Sequence, residues 1–283
     1  MVRKIPNLRE LNKIVQKPDY KKIGNWMARY IVREAALPLT WLFLHTPISA
    51  NGVTFISLLV GLGGCFVFIG ANKWSYVGGA FLLQLWYLLD HVDGQIARFY
   101  KKESITGVFF DYITHHLIHI GVFIGISWGI FLKSSNFLYI VLGALCAGGV
   151  FLLNILYDSL YKSFFHWIKN KGIYVNNKNI TAFKASYSSE GKDSVKKIFS
   201  WMHKMCEIHV VMNVITLLSV LQFIFNLNLW RLFIIFYAVL IPSVSGLKII
   251  FFIRTYKPDK EFVNFVEILK RFSNLSKEGR STL

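Results

Sequence analysis

Long apolar runs that are free of charge alternate with short polar segments along this chain. Six stretches contain no Asp, Glu, Lys or Arg: roughly residues 48–72, 74–89, 112–132, 134–157, 210–230 and 232–247. A helix needs about 20 apolar residues to cross about 30 Å of hydrocarbon, and each stretch with its flanks can supply them. Because helices of soluble proteins rarely lack charges for so long, we predict an all-α integral membrane protein with six transmembrane helices.

The polar segments divide the rest of the chain. Residues 1–47 are predicted to be cytoplasmic and to include, at 24–44, an amphipathic helix that lies in the membrane interface. Residues 48–253 form the predicted transmembrane domain, with a long basic cytoplasmic loop at 159–208 that holds an amphipathic pattern over 193–205. Pro242 predicts an interruption of the last span. Residues 254–283 are predicted to form a basic cytoplasmic tail.

The net charge of +17 raises the question of a nucleic-acid partner. Of the 32 Lys and Arg residues, only Lys73, Lys133 and Arg231 fall in the short loops on one side of the predicted membrane. This asymmetry is the positive-inside pattern, which predicts that both termini face the cytoplasm. Basic flanks beside an anionic leaflet explain the charge, so we expect no nucleic acid and place the protein in the cytoplasmic membrane of a bacterium or archaeon.

Acidic residues stand beside two of the predicted spans, in the stretch "DHVDGQIARFYKKESITGVFFDYITHH" at 90–116. Asp90 and Asp93 are spaced i, i+3 on the second helix, and Asp111 and His115 are spaced i, i+4 on the third. Two helices joined by a short turn are expected to run antiparallel and adjacent, which brings the four side chains together near the cytoplasmic surface. Clustered carboxylates repel one another, and divalent cations remove that conflict.

Small residues and one arginine surround the acidic positions. Gly94 and Ala97 leave room for a ligand beside the second helix, and Gly107 does so at the start of the third. Arg98 lies one turn beyond Gly94, where its guanidinium can reach a phosphate. Metals, a guanidinium and small residues together predict a pyrophosphate site.

The same stretch resembles the signature of the CDP-alcohol phosphotransferases, D-x-x-D-G-x-x-A-R, eight residues, then G-x-x-x-D-x-x-x-D. The matching residues are Asp90, Asp93, Gly94, Ala97, Arg98, Gly107 and Asp111. The segment "TPISANGVTFISLLVG" at 46–61 is also similar to the family's entry into its first span. The resemblance covers about residues 24–253.

The resemblance implies an enzyme that uses two divalent metal ions, Mg²⁺ or Mn²⁺, held by the three aspartates. These ions would bind the pyrophosphate of a CDP-linked donor, while Gly94, Ala97, Arg98 and Gly107 line the nucleotide site beside Asp90, Asp93 and Asp111. An acceptor hydroxyl then attacks the β-phosphorus and CMP leaves. The resemblance also implies a homodimer with a membrane-lipid substrate. CDP-diacylglycerol is the expected donor; the alternative is a soluble CDP-alcohol that donates its head group to a lipid or polyol.

The chain departs from the signature at His115, where the family has a fourth aspartate thought to be the general base. In one interpretation, the neutral imidazole of His115 still takes the proton and also contacts a metal. In the other, catalysis is impaired and the protein only binds. We favour the first because the other seven positions are intact. The loss of one hard oxygen ligand and one negative charge should loosen the second metal, and imidazole matches Mg²⁺ less well than Mn²⁺.

Two further residues are candidate acceptor contacts. His119 lies one turn beyond His115 and either contacts the acceptor or hydrogen-bonds a neighbouring helix. Lys248, in the last span, either snorkels to the interface or binds an anionic group of the acceptor. A transporter or non-catalytic binding protein is the alternative of another class. Its acids would be expected near the bilayer midplane of repeated halves, whereas here they lie at one face and no repeat is visible.

Overall fold

A computed structural model describes residues 5–17, 19–22, 24–171 and 193–278, of which 193–198 and 270–278 are described by their backbone alone. The regular elements in these ranges are all helices. In chain order they are α1 (Leu8–Val15), a π-helical turn (Ala28–Val32), α2 (Arg33–Leu44), α3 (Ala50–Val67), a 3₁₀ turn (Phe68–Gly70), α4 (Lys73–Tyr100), α5 (Ile105–Ser134), α6 (Leu138–Lys171), α7 (Asp193–Met205), α8 (Ile208–Phe225), α9 (Trp230–Arg254) and α10 (Lys257–Glu278).

Five of these segments are long and apolar enough to cross a membrane. They are Ala50–Gly70, Ile105–Ser134, Leu138–Lys171, Ile208–Phe225 and Trp230–Arg254. The all-α integral membrane class is therefore confirmed. Helix α4, which contains the second predicted span, is not among the five, because polar residues such as Gln84, Asp90 and His91 lower its mean hydropathy. The count of six spans stays a prediction, as does the division of the chain at residues 47 and 253.

Two expectations about helix limits are wrong. Helix α6 continues through residues 159–171, where we expected a loop, because Leu160 and Phe164 extend its apolar stripe and pack against Phe252. Pro242 lies inside a continuous α9, whose backbone is closely supported: a Cβ on Gly149 of α6 would fall 2.9 Å from the nitrogen of Pro242. The amphipathic pattern at 193–205 does form a helix, α7, while the rest of the predicted loop, 172–192, lies outside the described residues.

The described chain divides into two compact units. The first comprises residues 1–147 and 207–238, and the second comprises 148–206 and 239–283. In the first unit α3 packs closely against both α4 and α5, and α8 packs against α4. Glycines permit this approach, since a Cβ on Gly125 of α5 would fall only 2.1 Å from the carbonyl oxygen of Cys65 in α3.

The N-terminal helices cover one face of α4. Residues 28–44 of the predicted helix at 24–44 are helical, as the π-helical turn and α2, while its position in the membrane interface stays a prediction. With α1, this segment contributes to an apolar cluster that consists of Leu11, Val15, Ala36, Leu37, Leu44, Val53, Leu89, Val92, Ile96 and Phe99. Buried Gln95 also links α4 to α2. It accepts a hydrogen bond from Thr40 at 2.6 Å and donates one to the carbonyl of Arg33 at 3.0 Å. At 100° per residue, Asp90, Asp93 and Ala97 lie on a different side of α4 from the apolar residues.

Candidate functional site

A four-residue turn joins α4 to α5. Helix α4 ends in the left-handed residue Lys101, with φ of 53°, and the N–H groups of Lys101 and Lys102 donate to the carbonyls of Arg98 (3.1 Å) and Ala97 (2.9 Å). Ser104 then caps α5 by accepting a hydrogen bond from a first-turn N–H at 3.0 Å. These bonds satisfy the helix ends and reverse the chain tightly.

The turn brings Asp90, Asp111 and His115 together. Nδ1 of His115 lies 3.1 Å from Oδ1 of Asp111 and 3.7 Å from Oδ1 of Asp90. One ligand atom from each residue lies within 4.8 Å of the others, which is close enough for all three to hold one cation. Because residues 90 and 115 are equally far from the turn in sequence, this contact shows that α4 and α5 form an antiparallel hairpin.

Helix α3 sets the spacing of this hairpin. It packs closely on both α4 and α5, whereas those two helices approach each other mainly through side chains. Three of the four side chains expected to converge, those of Asp90, Asp111 and His115, therefore meet, while the backbones stand further apart than simple adjacency would place them. Thr54 of α3 donates a hydrogen bond of 2.6 Å to Oδ2 of Asp93, so Asp93 lies at the α3 side, outside the three-residue group.

Histidines are the ion-pair partners that the described part of the chain offers to this acidic cluster. Within the described residues, the ion-pair partners of Asp90 and Asp111 are the histidines His91 and His115. Oδ1 of Asp111 is buried and has no hydrogen bond, although it lies 3.1 Å from Nδ1 of His115. Half-buried carboxylates with an unused oxygen are costly unless a cation offsets their charge. Carboxylate oxygens are the ligands that Mg²⁺ and Mn²⁺ prefer, so the donor set fits a divalent metal.

The surroundings of His115 define which of its nitrogens carries the proton. Nδ1 faces oxygens: the carbonyl of Asp111 at 3.1 Å and the two carboxylates already described. All of these are acceptors, which favours the tautomer with the N–H at Nδ1 and the lone pair at Nε2. The indole of Trp86 stands edge-on at 5.1 Å between ring centroids and restricts the orientation of the imidazole.

The predicted nucleotide residues lie along the last turns of α4 and the first turn of α5. The guanidinium of Arg98 folds over Gly94, where a Cβ would fall 3.2 Å from Nη1, and its Nε–H donates to the carbonyl of Val15 in α1. Ala97 is half-buried on the same helix. Gly107 lies beside the capping residue of α5 and has no side chain to obstruct a ligand.

The structure places the two candidate acceptor residues in different units. His119 belongs to the first unit, is 7% exposed, and its Nε2 has no hydrogen-bond partner among the described residues, so that nitrogen does not link α5 to a neighbouring helix. Lys248 belongs to the second unit and is 5% exposed. Its Nζ lies 3.1 and 3.2 Å from the ring nitrogens of His203 and 4.4 Å from the centroid of Tyr157.

Sequence reasoning missed Thr54, Trp86 and His209 as neighbours of the site. Thr54 lies in the segment at 46–61 that resembles the family, yet nothing in the residue pattern pairs it with Asp93. His209 lies in the first turn of α8 with its Nε2 3.6 Å from the carboxylate of Glu207, and its ring lies 5.7 Å from that of Tyr87. A histidine at the polar start of an apolar helix was the one available signal.

A model of a known protein family matches part of the chain. Residues 47–173 match a family model described as CDP-alcohol phosphatidyltransferase, and this range contains α3 to α6 and every residue of the signature. No curated protein matches the chain. The family transfers a phosphoalcohol group from a CDP-alcohol to an acceptor and generally depends on divalent metals, and Asp90, Asp111 and His115 are close enough to hold one. The match over residues 47–173 supports assignment of this chain to the CDP-alcohol phosphatidyltransferase family, which is a family of transferases of substituted phosphate groups.

Proposed function

We propose that this enzyme transfers a phosphatidyl group from CDP-diacylglycerol to the hydroxyl of an alcohol, releasing CMP, in membrane phospholipid synthesis. The observation that carries the proposal is the convergence of Asp90, Asp111 and His115 on a hairpin inside the matched family range. A lipid donor suits an all-α membrane protein, since its acyl chains remain in the bilayer while the CDP group enters from the surface that we assign to the cytoplasm. A homodimer is part of the same proposal.

Asp90, Asp93 and Asp111 would hold two divalent ions, Mg²⁺ or Mn²⁺, with His115 beside them. When bound, such ions neutralise the pyrophosphate oxygens and make the β-phosphorus more electrophilic. Thr54 orients Asp93 through its 2.6 Å hydrogen bond, and Oδ1 of Asp111 is free to act as a ligand atom. The aspartates thus provide the negative charge that would hold the ions, and Thr54 of α3 fixes the orientation of the Asp93 carboxylate.

Arg98 would bind the donor's phosphates, with Gly94, Ala97 and Gly107 lining the nucleotide. Its Nε–H is already held by the carbonyl of Val15, which leaves the terminal nitrogens beside Gly94 for charge-assisted hydrogen bonds. Because glycine and alanine present almost no side chain, the nucleotide can approach the helix backbone at these positions.

His115 would act as the general base. Its Nε2 takes the proton from the acceptor hydroxyl as the new bond between that oxygen and the β-phosphorus forms and CMP leaves. The imidazolium produced is stabilised by the carboxylates of Asp90 and Asp111 next to Nδ1. This arrangement gives His115 the part that the family assigns to its fourth aspartate.

The test is turnover by the purified protein in lipid nanodiscs. CDP-diacylglycerol is supplied with Mn²⁺ or Mg²⁺ and a panel of alcohols, and CMP and the lipid product are identified by mass spectrometry. We expect metal-dependent CMP release that requires an alcohol. Release from a soluble CDP-alcohol in place of the lipid donor would establish the alternative substrate order, and no release from any CDP donor would overturn the proposal.

A further inference from the structure

Three buried polar nitrogens close to His115 have no partner among the described residues. They are Nε2 of His119 on α5, Nδ1 of His209 on α8 and Nε1 of Trp86 on α4. Trp86 is fully buried and His119 is 7% exposed. Buried polar atoms are nearly always hydrogen-bonded in native proteins, so three unsatisfied nitrogens on three packed helices indicate a group that the chain does not itself provide.

The three residues surround the proposed base. His119 follows His115 by one turn of α5 and lies within electrostatic range of both His115 and His209. His209 interacts with His115 in the same way. The indole of Trp86 lies 5.1 Å from the ring of His115. A molecule bound by these nitrogens would therefore be presented to the base.

The charge of this region identifies the kind of molecule. The ionisable neighbours that act on His119 are all histidines, and the ion-pair partner of His209 is the carboxylate of Glu207, at 3.6 Å. Lys and Arg do not appear among these contacts in the described residues, so the three nitrogens would offer an anionic group hydrogen bonds but no opposite charge. A neutral imidazole offers one donor or one acceptor at each nitrogen, and the indole N–H offers a donor. A hydroxyl, which both donates and accepts, matches that set.

We propose that His119, His209 and Trp86 bind the acceptor, and that the part of the acceptor they hold is an uncharged, hydroxyl-bearing group such as the end of a polyol or glycerol. This inference rests on the proposed function and adds the class of the second substrate to it. The nitrogens orient the reacting hydroxyl towards Nε2 of His115. They take no part in breaking or forming the bonds to phosphorus.

The first experiment compares acceptors with CDP-diacylglycerol as donor and Mn²⁺ as metal. Glycerol and inositol represent uncharged polyols, and glycerol 3-phosphate, inositol phosphate and serine represent charged acceptors. We expect CMP release with at least one uncharged polyol and at least tenfold lower kcat/KM for each charged counterpart. A preference for a phosphorylated acceptor or serine would overturn the inference while leaving the transferase reaction in place.

The second experiment separates binding of the two substrates. His119→Leu and His209→Gln should raise the KM for the acceptor about tenfold or more, because a buried hydrogen bond to a substrate is lost. The KM for the donor, and the affinity for a non-hydrolysable CDP-diacylglycerol analogue measured by calorimetry, should change less than twofold. His166→Ala, an exposed histidine of α6 in the second unit, is the matched control and should alter neither.

The outcomes distinguish a failure of the acceptor site from a failure of the proposed transferase function. Equal changes in the KM for donor and acceptor in both variants would show that the histidines support the fold and not the acceptor. The conservative His209→Gln, which keeps a hydrogen-bonding group, guards against a simple loss of folding, since unchanged binding of the donor analogue reports an intact nucleotide site. Absence of CMP release by the wild-type protein with every acceptor would instead refute the proposed function itself.

Discussion

Two buried polar clusters, one in each unit, are built on opposite principles. In the second unit the ammonium of Lys248 meets the ring nitrogens of His203 at 3.1 and 3.2 Å and the face of Tyr157 at 4.4 Å. A lone pair and an aromatic face are both good partners for a cation, so this cluster is satisfied by the chain. In the first unit Asp90 and Asp111 face histidines and keep a carboxylate oxygen without a hydrogen bond.

The difference teaches how to separate a structural polar cluster from a ligand site. Burial and ionisable residues are common to both, and neither property alone is informative. What distinguishes the acidic cluster is the unbalanced negative charge, which an external cation can offset. Lys248 stays a predicted contact for an anionic acceptor group, but its existing partners favour a role in holding α7 to α9.

The largest effect is expected from Asp90→Asn. It removes one negative charge and one metal ligand, and the loss of several kcal/mol of transition-state stabilisation should lower kcat/KM about a thousandfold. Mn²⁺ affinity, measured by electron paramagnetic resonance, should fall in parallel. Asp158→Asn on the exposed side of α6 is the matched control. Wild-type activity in Asp90→Asn would mean that the acidic cluster, like the cluster around Lys248, supports the fold and does not bind a catalytic metal.

Substitutions of His115 should lower activity nearly as much as Asp90→Asn, and their effect should depend on which metal is supplied. His115→Ala removes the base and should lower kcat about a hundredfold or more. His115→Asp restores the acid of the family signature and should retain activity, with the ratio of Mg²⁺- to Mn²⁺-supported rates higher than in the wild type. The rates with each metal are compared side by side. Full activity of His115→Ala would remove the imidazole from the mechanism.

A smaller loss is expected from Thr54→Val, which keeps the shape of the side chain but removes the 2.6 Å hydrogen bond to Asp93. Groups that orient metal ligands typically contribute about 10- to 100-fold in metal affinity or activity. Thr54→Ser keeps the hydroxyl and should recover most of the loss. If valine and serine behave alike, the hydroxyl does not orient Asp93.

The close approach of α3 and α5 can be tested separately. Gly125→Ala would place a methyl group 2.1 Å from the carbonyl oxygen of Cys65, so the helices must separate, at a cost of about 1–3 kcal/mol in stability. Gly63→Ala is the control. Gly63 lies in α3, as Cys65 does, and a Cβ there would have nothing within 4 Å, so stability should be unchanged or slightly higher. Unfolding in detergent and urea measures both, and equal stabilities would contradict the packing described.

The smallest effect concerns pH at the second cluster. Burial, followed by the nearby charge of Lys248, lowers the pKa of His203 to about 4 from its usual 6.5. Since the folded state binds the proton less readily, the contact between α7 and α9 is fully stable above about pH 6.5 and weakens as the pH falls towards 4. Amide hydrogen exchange in α7 should quicken over that range, after correction for intrinsic rates. His203→Gln should abolish the change, and an unchanged profile in that variant would assign it elsewhere.

Much of the acidic site was predictable because its geometry is local. The i, i+4 spacing of Asp111 and His115, and the short turn after Arg98, are enough to bring one helix pair together. The contribution of α3 through Thr54 was not predictable, because a contact across 39 residues leaves no local pattern. The same holds for the unsatisfied nitrogens of His119 and His209, which are known only once α5 and α8 are packed.

The predictions of two helix limits were wrong for a related reason. The fourth span was expected to end near Asp158, where charges begin, yet α6 continues to Lys171. Charges mark where a helix can leave hydrocarbon, and they do not mark where its hydrogen bonding stops. In the same way Pro242 predicted an interruption that the packing of α9 against Gly149 makes unnecessary.

The bond from Arg98 to the carbonyl of Val15 links residues that are 83 positions apart. Because that carbonyl holds one edge of the guanidinium, the first helix of the chain limits the directions in which the arginine can turn. A chain shortened past residue 16 would release that edge and let the side chain swing freely. Retention of the proposed nucleotide would then depend on a segment that lies wholly outside residues 47–173, the range that matches the family model.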